Sequence, residues 1–133
     1  MNYDLEIKEK NPPSIRNFTD LNAWKEAHKL VLMIYQSTKK FPKEEMFGLT
    51  SQIRRAVISI TSNIAEGFSR HSFKDKANFY SMALGSLTEV ESQLYVARDI
   101  GYISKETFDK IEYQTILVNK ICNGLIKKSR SYS

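Results

Sequence analysis

Histidine and cysteine are almost missing from this chain, whose 133 residues include two histidines, His28 and His71, and one cysteine, Cys122. Neither histidine has a glutamate three residues before it, which removes the Glu-x-x-His pairs of a di-iron or di-manganese bundle. One cysteine cannot close an internal disulfide and suits a reducing compartment. Cys122 lies among apolar residues with no helix start or basic partner beside it, so it reads as a small core residue and not a nucleophile. There is no glycine-rich phosphate loop and no nucleophile elbow, so no cofactor is expected. Apolar runs are short: none approaches the roughly 20 residues that span a bilayer. The stretch MNYDLEIKEKNPPS has no apolar segment of the secretory type. A cytoplasmic protein without membrane contact is the expectation.

What is present is ordinary globular material, 41% hydrophobic and 26% charged, enough for one domain. Apolar residues recur at three- and four-residue steps in four stretches. The first stripe, Ala23, Trp24, Ala27, Leu30, Val31 and Ile34, predicts a helix over 21–39, with Thr19 or Asp20 available to cap it. Phe41-Pro42 breaks that pattern, and a short helical turn over 43–48 leads on. The second, Leu49, Ile53, Val57, Ile60 and Ile64, predicts a helix ending near Gly67, where glycine can turn left-handed.

Ser72 to Asp75 has the form of a capping box, and Phe73, Ala77, Tyr80, Leu84, Leu87, Val90 or Glu91, Leu94 and Ala97 carry a third helix to about residue 100. Gly85 costs that helix roughly 1 kcal/mol relative to alanine, which suggests a close backbone approach there. Gly101 ends it. Ser104 caps a fourth helix on Phe108, Ile111, Leu117 or Val118, Ile121 and Leu125, running to about residue 128. No strand alternation, internal repeat or low-complexity segment interrupts this pattern. The expected fold is all-α, an antiparallel up-and-down four-helix bundle over 18–128, with a flexible tail over 1–17 and a basic tail over 129–133.

Beside the apolar stripe of the second helix runs a polar one, Gln52, Arg55, Ser59, Asn63 and Glu66. Short uncharged side chains at Ser59 and Asn63 suit hydrogen bonding to another helix better than a solvated face. Ser86, Glu89 and Gln93 form a matching stripe on the third helix. Two readings are open: a structural network or subunit interface, or a polar inter-helix pocket around Arg55, Glu66 and Glu89 in which the two carboxylates do acid–base work on a small ligand. The net charge of +5 favours anionic partners. From Tyr113 onward there are four basic residues and no acidic ones. Arg54, Lys127, Lys128 and Arg130 are the candidate contacts to nucleic-acid phosphates.

The stretches FTDLNAWKEAHKL, FYSMALGSLTEVESQL and ARDIGYIS, and above all GL-x-x-Q-x-RRA-x-x-SI-x-x-NIAEG over 48–67, resemble the 23S rRNA intervening-sequence (S23) family of four-helix-bundle proteins. The resemblance runs over about 18–125. It implies no catalytic site. It also implies kinship with the accessory variability protein of diversity-generating retroelements, a homopentamer whose basic surface engages a reverse transcriptase and nucleic acid. On that basis the chain is expected to be a homo-oligomer, a pentamer by resemblance. Helix two, with Val57, Ile58, Ile60, Ile64, Ala65 and Phe68 on more than one side, asks for more burial than one bundle face gives.

Overall fold

The computed structural model describes residues 14–133, and most of the expected 1–17 tail lies outside them. From Asn17 the backbone is tied down: Asn17 accepts the Thr19 N–H, and the Asp20 carboxylate accepts those of Arg16 and Asn17. These bonds close a short 3-10 turn, Phe18–Asp20. Thr19 and Asp20 therefore do not cap the first long helix, which starts after Leu21 with no side-chain cap.

Four helices follow: α1 (Asn22–Thr38), α2 (Leu49–Ser69), α3 (Phe73–Asp99) and α4 (Lys105–Ser131), with a 3-10 turn Lys43–Glu45 after the Phe41-Pro42 break. Ser72 accepts from the Asp75 N–H and Ser104 from the Thr107 N–H, so both expected caps form. Gly101 takes φ of 87°, the left-handed conformation that ends α3. The described residues contain no strand. Each helix packs on its sequence neighbour and α4 closes the square on α1, while the backbones of the diagonal helices stay apart across the shared core. Antiparallel order shows in the facing residues: Ser59 meets Ser86, Tyr95 meets Phe108, and Gln114 meets Glu26.

The core is aliphatic, built on Leu30, Ile34, Ile53, Ile60, Ile64, Leu87, Leu94, Ile111 and Val118. Burying each such side chain contributes about 1.5–3 kcal/mol relative to leaving it in water. Cys122 is fully buried as expected, and burial pushes its thiol pKa up to about 12. The inner face of α4 is rotated from the expected stripe. Its buried line runs Ile111, Thr115, Val118, Cys122, Ile126 and Ser129, while Leu117, Ile121 and Leu125 are half-buried. Buried hydroxyl and amide groups hid that line in the sequence, and two of them find partners, one within α4 and one across on α1. Thr115 donates to the Glu112 carbonyl at 2.7 Å, and Gln114 donates to the Glu26 carbonyl at 2.8 Å. Because α4 continues to Ser131 with Ser129 buried, residues 129–131 belong to the bundle and are no tail.

Two glycines differ from expectation. Gly67 does not stop α2, which runs on to Ser69; a Cβ at Gly67 would lie 2.6 Å from Tyr80 Cε1 and 3.1 Å from Phe79 Cβ. Glycine is there for closeness to α3. Gly85, where closeness was expected, has no atom within 4 Å of the Cβ position and faces outward. Thermal melts should separate the two sites. Gly67→Ala should lower the melting temperature, since overpacking costs typically 1–3 kcal/mol and outweighs the helix propensity gained. Gly85→Ala should raise it by roughly 3–5 °C, the equivalent of its propensity gain of up to about 1 kcal/mol in a domain this size. Equal shifts of the two variants would contradict the packing described.

Candidate functional site

The two polar stripes do face each other along the α2–α3 seam, but they form three separate pieces. Ser59 is the centre of the first: Ser86 Oγ donates to Ser59 Oγ at 2.8 Å, and Asn63 Nδ2 donates to the Ser59 carbonyl at 2.9 Å and its hydroxyl at 3.1 Å. Gln93 Nε2 donates to Glu89 at 3.3 Å, within α3, leaving Gln93 Oε1 buried without a partner. Gln52, Arg55 and Glu89, together with Phe47 and Ser51, line a shallow depression of about 360 Å³. Glu66 joins none of these. It pairs with Arg70 at 3.1 Å, one turn along its own helix.

Helix direction explains the separation. Glu66 lies seven residues beyond Ser59 and Glu89 three beyond Ser86, and in antiparallel helices these offsets run opposite ways. At about 1.5 Å rise per residue the two carboxylates stand roughly 15 Å apart along the bundle. The expected pocket around Arg55, Glu66 and Glu89, with its acid–base pair, is therefore not formed in the chain.

A different carboxylate pair occurs on the α3–α4 seam. Glu112 accepts from Thr115 Oγ1 at 2.6 Å and from Tyr95 Oη at 3.2 Å, and Glu91 comes against it. Partial burial raises the Glu91 pKa above the ordinary carboxyl value, and the neighbouring Glu112 raises it further. Sequence reasoning placed Glu91 beside an apolar stripe but missed Glu112, whose signal is only its position next to Ile111 on a facing helix. No group of three or more His, Cys, Asp or Glu positioned to hold a metal occurs among the described residues. None of their helices is long and apolar enough to cross a membrane.

The four candidate cations divide as well. Arg54 is committed to the α1–α2 contact, where Nε donates to Thr38 Oγ1 at 2.8 Å and the guanidinium lies 4.6 Å from the Tyr35 ring centre. That use was invisible in the sequence because it needs the end of α1 beside the start of α2. Lys127, Lys128 and Arg130 are exposed on the last turns of α4, at the opposite end of the bundle. None of the three has an ion-pair partner among the described residues.

Comparison with known proteins adds the following. Residues 19–124 match the family model described as 23S rRNA-intervening sequence protein. A solved structure of a protein with unknown function from the S23 ribosomal protein family of Bacteroides thetaiotaomicron superposes with a TM-score of 0.73 at 25% identity, covering 79% of this chain and 98% of that one. No curated protein matches the sequence.

The Glu91–Glu112 contact has a measurable pH signature. A carboxyl whose folded pKa is raised stabilises the fold most when protonated, below its unfolded pKa, and loses that contribution as pH rises through the folded value. Glu91→Gln should therefore raise the melting temperature at pH 7 and change it little at pH 4. An equal shift at both pH values would contradict the contact.

Proposed function

This chain belongs to the 23S rRNA-intervening sequence protein family, and from its surfaces we infer that it is a non-enzymatic, self-assembling helical scaffold that binds nucleic acid through basic side chains. The observation that carries this reading is the set Lys127, Lys128 and Arg130, exposed at the end of α4 and without an ion-pair partner among the described residues. Arg54 is committed to the fold, whereas these three hold no such contact among the described residues. Phosphate rewards such cations by counterion release and asks little of sequence. The net charge of +5 per chain is modest, but it becomes a strong field when several copies share one symmetric body.

Self-assembly is supported by the apolar side chains left outside the bundle. Phe47, on the turn before α2, and Ile58, Met82, Tyr113 and Ile116, on α2, α3 and α4, are all exposed. Five copies is the number suggested by the resemblance to the retroelement accessory proteins. Such a body would present its basic ends together to an RNA or DNA strand, or to a nucleic-acid enzyme such as a reverse transcriptase.

Gel-shift titrations with single- and double-stranded DNA and RNA test the reading. Binding should be indifferent to sequence and weaken steeply with salt, with a log–log slope near −0.9 per neutralised phosphate on duplex DNA. Replacing Lys127, Lys128 and Arg130 together with glutamine should weaken binding to all sequences alike and flatten that slope by up to about 3 per bound chain. If no nucleic acid binds below about 100 μM at low salt, not even the weak end of the ordinary non-specific range is reached and the reading fails.

A further inference from the structure

Where α2 stops, α3 starts and α4 finishes, the end of the bundle carries a cavity of about 210 Å³. Leu21, Phe68, Tyr80 and Leu125 wall it, and the rings of Phe73 and Tyr132, 4.9 Å apart and both exposed, form its rim. That volume falls below the roughly 300–1,000 Å³ of a small-molecule pocket, but it suits one apolar side chain of a peptide whose neighbours rest on the rim. Two cations line the cavity, Lys76 and Lys128, and among the described residues no carboxylate does. Neither cation has an ion-pair partner among those residues. Lys76 is half-buried, with Nζ donating to the Phe68 carbonyl at 2.6 Å, so its charge is drawn partly out of water without a counter-ion. The cavity is complementary to an apolar side chain flanked by carboxylates.

The same chain contains such a segment, Tyr3-Asp4-Leu5-Glu6-Ile7. In an extended backbone residues two apart share a side, so Tyr3, Leu5 and Ile7 would form an apolar edge with Asp4 and Glu6 opposite. The chain also enters the described residues at the cavity itself: Ile15 lines it, and from Asn17 the backbone is tied down. The eight steps from Ile7 to Ile15 reach at most about 26–29 Å. A tether that short puts the segment at an effective concentration on the order of millimolar, which favours it over a similar segment arriving from solution.

We propose that residues 3–7 of the same chain occupy this cavity, Leu5 inside it, Tyr3 and Ile7 on the Phe73–Tyr132 rim, and Asp4 and Glu6 beside Lys76 and Lys128. The consequence is regulatory. Lys128 is one of the three cations proposed above to meet phosphate, so the segment and nucleic acid compete for the same charge. That competition rests on the nucleic-acid reading; occupancy of the cavity does not. A site that is open only while the segment is away binds with an affinity reduced to the fraction of time it is open.

Disulfide trapping in the full chain tests the occupancy. Leu5→Cys with Tyr132→Cys, oxidised at low micromolar concentration, should close a bond within one chain, read by peptide mapping as a link between positions 5 and 132. Leu5→Cys with Gly85→Cys, on the outward face of α3, should not. Cys122 is buried and takes no part. Gel shifts with single-stranded DNA read the competition. Leu5→Ser leaves the net charge as it is and should tighten binding about 3- to 10-fold, the change expected of a segment seated roughly 70–90% of the time, while the oxidised 5–132 link should weaken binding. Absence of the 5–132 link, equal trapping at position 85, or a link formed only between chains would overturn the occupancy and the proposal with it. A link within the chain, with binding unmoved by Leu5→Ser, would overturn the competition. If the link forms and no variant binds nucleic acid, the nucleic-acid reading fails and the occupancy stands.

Discussion

The close approach of α2 and α3 sets the rest of the bundle. Gly67 leaves out a side chain where the Tyr80 ring comes to 2.6 Å from the would-be Cβ, and Ser59 and Ser86 allow two hydroxyls to meet at 2.8 Å. Bulkier side chains at these positions would hold the helices apart, because packed interiors have no spare volume to absorb a methyl group. With the spacing fixed, so is the register. Register then decides which polar residues share a place: Gln52 and Arg55 come beside Glu89, and Glu66 is left to its own helix and Arg70.

The same geometry allocates charge. Lys76 turns back across the short α2–α3 connection and donates to the Phe68 carbonyl at 2.6 Å, satisfying the exposed end of α2, and burial lowers its pKa. Arg98 lies over both Tyr95 and Phe108, joining α3 to α4 through its flat guanidinium. Cations committed in this way hold helices together. Those at the end of α4 do not, which separates a fold role from a surface role among residues of one chemical type.

How much could be read beforehand depends on the range of the interaction. Helix number, order and most boundaries followed from periodicity and caps, because both act within one or two turns. The inner line of α4 was misplaced because Thr115 and Ser129 look polar in a sequence, and their burial becomes acceptable only once local bonding and neighbouring helices are known. Glycine was ambiguous for a similar reason. Its missing Cβ can serve a left-handed turn, as at Gly101, or a close contact, as at Gly67, and the sequence does not distinguish them.

The sequence by itself determined four amphipathic helices, a buried lone cysteine, an excess of cations toward the C-terminus and membership of a family. Those are properties of composition and short-range spacing. Only the tertiary structure decided that Arg54 serves α1, that Glu91 meets Glu112, that Glu66 and Glu89 stand apart, and that Phe47 stands in water on the turn before α2. Each of these depends on which turn of one helix lies opposite which turn of another. Helix register is set by packing between residues far apart in the chain, and no local pattern encodes it.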